Sequence, residues 1–257
     1  MRSFLLFMAC LFAVNSHADN VPFYATIAVS LQQGQSLPLS QEIRYELEPS
    51  DPETFIRRLG EWQGISAEAI GSDKVVVRQR SHPQYTGTVD EKHLKASFVV
   101  DFQEPSVADF ISAFKAEADG VWTLENITHH VNGYIDKPTY IHGFNIASVV
   151  ARNRSGDCTE YAVLTAALAR ALSYPARVVL GTAILNGDQT LRSYGHAWAE
   201  VWYEDKWQIV DAALFPQSGT DVFYLPGAAL DNEGLGYGMS LVYAAQSLPP
   251  SLHEMQN

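Results

Sequence analysis

The sequence predicts an α+β fold, with a small β-rich N-terminal module ahead of a domain in which helices precede an antiparallel sheet. Three observations carry this. Short alternating apolar runs dominate residues 21–104, apolar spacings of three and four take over after Pro105, and strand-like runs return after Pro175. Helices first and a strand meander afterwards is the α+β order, not the β-α-β alternation of a parallel sheet.

The elements follow in chain order. Met1 and Arg2 precede an apolar stretch over residues 4–14, and Ser16-His17-Ala18 offers small residues where a signal peptidase cuts. Residues 1–18 therefore read as a signal peptide cleaved after Ala18, too short to span a bilayer as a helix of about 20 residues. The expectation is a periplasmic or secreted protein with no stable membrane insertion.

Residues 19–104 form the β-rich module, with strands expected at 23–29, 42–47, 74–78 and 94–100. One helix interrupts them at Pro52–Leu59, capped by Asp51 with Pro52 at its first position. Glu104-Pro105-Ser106 marks the boundary to a second domain over 105–246. There a helix over 106–117 aligns Val107, Phe110, Ile111 and Phe114, and another over 121–135 aligns Val121, Leu124 and Val131. A third, over 157–171, is Ala-rich and almost uncharged, so it is expected to be buried on most sides until Ser173-Tyr174-Pro175 stops it. Strands are expected at 177–184, 194–203 and 206–212. Residues 247–257, with Pro249-Pro250, read as a loosely attached C-terminal tail.

Composition narrows the function classes. A chain of 257 residues that is 47% hydrophobic builds one large or two smaller folded units. A net charge of −12 argues against a nucleic-acid binder, because phosphate contacts need an excess of Lys and Arg.

Cys158 carries the strongest chemical signal. The other cysteine, Cys10, lies in the leader, so the processed chain holds a lone thiol with no disulfide partner. Asp157 and Glu160 fit a capping box, which puts Cys158 at the first helical position, where unpaired N–H groups favour a thiolate. The adjacent Asp157 opposes that effect, so a base is needed.

His196 is the candidate base. It lies in the alternating strand Tyr194-Gly195-His196-Ala197-Trp198-Ala199-Glu200-Val201-Trp202-Tyr203. If Glu204-Asp205 is a two-residue turn, Trp198 falls opposite Asp211, and His196 lies two residues along on the same face, within side-chain reach. A slip of one residue would put the two on opposite faces. Asp211 is then the candidate that orients the imidazole.

Taken singly, each residue has a plainer reading. A cysteine early in an apolar helix is most often a small core residue, a strand histidine a satisfied core or surface group, and a strand-ending aspartate a turn former. Three residues in converging contexts favour a nucleophile, base and orienter set.

The segments around these residues also resemble a known family. Ser155-Gly156-Asp157-Cys158-Thr159-Glu160-Tyr161, Gly195-His196-Ala197-Trp198-Ala199-Glu200 and Trp207-Gln208-Ile209-Val210-Asp211-Ala212 are similar, in that order, to the transglutaminase-like core. The resemblance covers roughly residues 122–214. It implies a papain-like fold, a Cys-bearing central helix packed on an antiparallel sheet, with Cys158 as nucleophile, His196 as general base and acid, and Asp211 as orienter. It further implies a cysteine protease, amidase or acyltransferase acting on a protein or peptide substrate through a thioester, with hydrolysis favoured over cross-linking. Asp157 and Ser173 depart from the residues common at those positions. An aromatic donor to the oxyanion occurs in some relatives, and Tyr140 is the candidate, beside the backbone N–H of Cys158.

Two alternatives stay open: a non-catalytic binding or scaffolding module that retains the fold, and another Cys-His-Asp enzyme such as a cell-wall peptidase or an amine acyltransferase. No cofactor and no metal site is expected. His129 and His130 are adjacent and point to different sides of a helix, and Cys158, His196 and Asp211 make a poor zinc set. Asn126-Ile127-Thr128 and Asn153-Arg154-Ser155 fit the glycosylation triplet but fall in expected helices and decide nothing.

Overall fold

A computed structural model of the chain describes residues 26–139, 143–215 and 220–257; the expected leader and Tyr140 lie outside them. The elements run β1 (Ala28–Leu31), β2 (Glu42–Leu47), α1 (Pro52–Leu59), β3 (Trp62–Ile70), β4 (Lys74–Tyr85), α2 (Pro105–Glu117), α3 (Leu124–Tyr134), β5 (Lys137–Pro138), α4 (Ala147–Asn153) and β6 (Ser155–Gly156). Then come α5 (Cys158–Ala171), β7 (Ala176–Gly187), β8 (Leu191–Tyr203), β9 (Lys206–Val210), β10 (Thr220–Ala229), α6 (Tyr237–Gln246) and β11 (Ser251–Gln256). The class is α+β, as the sequence predicts.

A four-stranded antiparallel sheet in the order β10-β7-β8-β9 forms the centre. On one face lie the helices. Val107, Phe110, Ile111 and Phe114 of α2, Ile127 and Val131 of α3, and most of α5 bury against Ala176, Val178, Ala197 and Val201 of the sheet. The Ala-rich composition of α5 lets helices and sheet approach closely around it, which is why it runs buried from Glu160 to Arg170. Its end carries the cation Arg170, which donates to the Ala176 carbonyl and pairs at 2.6 Å with Glu233.

The N-terminal sheet, in the order β1-β11-β2-β4-β3, packs against the centre as well. Ile43, Tyr45 and Leu47 of β2 and Val75 and Val77 of β4 share one core with Ile184, Phe223 and Leu225 of the central sheet. Strand β7 is buried on both faces, Ala176 and Val178 in the helical core and Val179, Ala183 and Leu185 with Trp198 and Tyr224, and its sequence Ala-Arg-Val-Val-Leu-Gly-Thr-Ala-Ile-Leu-Asn-Gly reads as a near-continuous apolar run for that reason.

Two expectations are corrected. Residues 94–100 are not a strand: the Ser97 Oγ accepts from the Val100 N–H at 2.9 Å, and the Val99 N–H donates to the Glu233 carbonyl. Val99 and Val100 are fully buried in the helical core, so the apolar run plugs a core without joining a ladder. Nor is the C-terminus a loose tail. Strand β11 lies inside the N-terminal sheet, parallel to β1 and antiparallel to β2, with Leu252 and Met255 fully buried. The sheet needs that strand to join β1 to β2, a partnership between chain ends that local pattern does not reveal.

Candidate active site

The helix start builds the first part of the site. Asp157 is the N-cap of α5: its side chain accepts from the Thr159 N–H at 3.1 Å, while the Glu160 carboxylate accepts from the Asp157 N–H at 2.9 Å. This is the expected capping box, and it leaves Cys158 at the first helical position. Gly156 is required just before it, because a Cβ there would sit 2.2 Å from the Glu160 Cβ. Glu160 also accepts from the Asn145 N–H at 2.8 Å and the Asn145 side chain at 3.1 Å, tying the preceding loop to the helix start. Burial, reinforced by the neighbouring Asp157 charge, pushes the Glu160 carboxyl up to about 7.

The second part is the β8–β9 hairpin. Glu204 and Asp205 form its two-residue turn, both with positive φ (52° and 60°), the backbone of a type I′ turn. The ladder runs from Tyr203 opposite Lys206 to Ala199 opposite Val210, so the next step brings Asp211 beside Trp198 and within reach of His196. His196 Nε2 and Asp211 Oδ2 are 2.7 Å apart, with the two side chains 2% and 5% exposed. The Cys158 side chain stands within interaction range of the same imidazole.

Charge follows geometry. Burial opposes a charge on His196, but the Asp211 carboxylate and Cys158 outweigh it and hold the imidazolium up to about 10. Burial likewise opposes the charge on Asp211, and the His196 imidazolium with the surrounding donors keeps its carboxyl below the usual range. Asp211 is also the turn former of its plainer reading: Oδ1 accepts from the N–H groups of Ala213 and Leu214 at 3.0 and 3.1 Å. One oxygen shapes the chain and the other holds the histidine.

The structure therefore brings Cys158, His196 and Asp211 together. Cys158 is the free cysteine among the described residues, and its side chain is partly exposed. Among the described residues no group of His, Cys, Asp and Glu could hold a metal ion. His130 is buried against Glu117 at 2.6 Å, and His129 packs edge-on to Phe215 at 4.4 Å.

Two further residues line the site: Trp198, which the strand pattern already places on the face of His196, and Tyr224, which it does not reveal. Tyr224 donates to Asp211 Oδ2 at 2.9 Å. Trp198 stacks beneath His196, with centroids 6.4 Å apart, and meets Tyr224 edge-on at 5.1 Å. Trp198 was legible as a same-face neighbour of His196; Tyr224 lies on a strand that local pattern does not connect to Asp211.

Residues 108–212 match the family model of the transglutaminase-like superfamily. That stretch, which contains Cys158 and His196 and ends just past Asp211, is a transglutaminase-like domain. No curated protein matches the chain. Among solved structures, the chain is similar to a candidate cysteine protease from Cytophaga hutchinsonii at 16% identity and TM-score 0.38, covering 74% of this chain and 77% of that one. It is also similar to the ethylmercury-bound periplasmic domain of TgpA from Pseudomonas aeruginosa, at 15% identity and TM-score 0.43, covering 73% and 82%. A third likeness is to a TGase, at 14% identity and TM-score 0.36, covering 68% of this chain and 52% of that one.

Proposed function

We propose that this protein is an exported cysteine enzyme that cleaves peptide or carboxamide bonds through a thioester, with hydrolysis favoured over amine transfer. The observation that supports the reading most is the chain of groups from a partly exposed Cys158 at the capped helix start, through a buried His196, to an Asp211 that accepts four hydrogen bonds. Hydrolysis is favoured because the sequence lacks the insertions and calcium-ligand clusters of animal cross-linking enzymes. The leader over residues 1–18 supports a periplasmic or secreted location.

In this reading the Cys158 thiolate attacks the carbonyl carbon, and the Cys158 N–H supports the developing oxyanion. The His196 imidazolium gives its proton to the leaving nitrogen as the C–N bond breaks, which leaves a thioester on Cys158. Neutral His196 then takes a proton from water as the water attacks, the C–S bond breaks and the acid departs. An amine in place of water would give transfer. Asp211 holds one ring nitrogen throughout, so the other stays aimed at the reacting atoms.

The test is the iodoacetamide labelling rate of Cys158, read by peptide mass, from acid to alkaline pH in wild type and in His196→Ala. A thiolate present well below about pH 8.5 that His196→Ala abolishes supports the reading. Labelling that rises only near pH 8.5 in both proteins sinks it.

A further inference from the structure

We propose that Tyr224 is a positioning residue of this site: its hydroxyl completes the hydrogen-bond shell of Asp211 and sets how tightly His196 holds its proton. The inference rests on the reading of Cys158, His196 and Asp211 given above. The partner of the Tyr224 hydroxyl is Asp211, and Tyr224 acts through that carboxylate.

The geometry is specific. Asp211 has four donors, two on each oxygen: the Ala213 and Leu214 N–H groups on Oδ1, and His196 Nε2 with the Tyr224 hydroxyl on Oδ2. His196 and Tyr224 thus compete for one oxygen. A second donor on Oδ2 draws off part of its negative charge, which weakens its hold on the imidazolium. The same bond stops the carboxylate from turning about its own axis.

Tyr224 reaches Asp211 because of what lies between. On β7 the partners of Tyr224 and His196 are Ala183 and Gly181, so small residues separate the two large side chains. A Cβ on Gly181 would stand 2.6 Å from the Trp198 ring. The indole fills that space and touches both His196 and Tyr224. The Tyr224 phenol is 4% exposed, and burial and the Asp211 charge keep it protonated, so it is a permanent donor.

Other titratable groups around the pair are few. Cys158 faces His196 from α5, Tyr194 lies edge-on to His196 on β8, and His82 of β4 stands 6.1 Å from the Tyr224 ring. The two donors on Oδ2 are the His196 Nε2 and the Tyr224 hydroxyl, so a change at that oxygen is read in His196.

The experiment measures the His196 titration by NMR of the histidine-labelled full chain, with His196→Ala to assign the signal. In Tyr224→Phe, which keeps the ring, the His196 midpoint is expected to rise by about half a unit or more. 3-Fluorotyrosine placed at position 224, a stronger donor, is expected to move it down. Opposite shifts from two variants that pack alike are not produced by a merely structural ring. Midpoints that overlay the wild type in both variants overturn the proposal, as does a shift of the same sign in both. If His196→Ala leaves Cys158 labelling unchanged, the catalytic reading fails instead, and the Tyr224 result is judged on the His196 midpoint alone.

Discussion

At Asp211, a carboxylate that could have been only a turn former binds a histidine as well, and the energetics of the site turn on it. The folded imidazolium titrates at about 10, above the ordinary histidine value of 6.5. A raised pKa gives stability that is full below about 6.5 and is lost as the pH rises through about 10. Asp211→Asn removes the charge that sustains it, so the wild-type advantage over the variant should shrink between neutral pH and pH values above about 10. Urea unfolding of both proteins at the two ends of that range measures it; a constant gap would refute the assignment.

Glu160 gives a second pH effect. Its folded value of about 7 exceeds the ordinary 4.5, so its contribution is full below 4.5 and lost as the pH rises through 7. Glu160→Gln should flatten the fall in stability over that range, and melting temperatures at the two ends would show whether it does. The roles of Cys158, His196 and Asp211 were legible as candidates because helix-start and hairpin patterns are local. Tyr224 was not, since its partner is reached across an intervening strand.

Among the elements, the β8–β9 hairpin was readable to the residue. Two residues between alternating runs define the turn, and a two-residue turn fixes the register. The run at 94–100 has the apolar spacing of a strand, yet its residues serve burial and not pairing. Two substitutions test the packing of elements. Gly181→Ala would push a Cβ to 2.3 Å from the Leu225 carbonyl, a backbone atom that cannot swing aside. A loss of about 3 kcal/mol in denaturant unfolding is expected, and a neutral variant would show that β7 and β10 can part at no cost. Leu252→Ala opens a cavity at a fully buried position in β11. It should cost about 3 kcal/mol by the same measurement; a truly loose tail would lose nothing.

For the whole molecule, the two sheets behave as one unit. The core of the N-terminal sheet includes Phe223 and Leu225 of β10, and the Trp62 indole of β3 donates to Glu200 of β8 at 3.3 Å. Glu200 also holds Arg177 at 2.6 Å, and Arg177 lies 3.4 Å from the centre of the Tyr85 ring. A single calorimetric transition, with matching calorimetric and van't Hoff enthalpies, is therefore expected for the chain. Two resolved transitions would mean that the N-terminal module folds apart from the helices. Glu200→Ala leaves Arg177 buried without its anion and should lower stability by about 3–5 kcal/mol.

The sequence by itself determined the α+β class, the capped helix start that presents Cys158, and the hairpin register that aligns His196 with Asp211. Each is set by contacts between residues near one another in the chain, where periodicity and turn chemistry leave few alternatives. Only the tertiary structure decided that the last strand belongs to the first sheet, that the module shares a core with the central sheet, and that Tyr224 completes Asp211. These depend on which apolar faces and strand edges meet in space, and many pairings of distant segments satisfy the same local pattern.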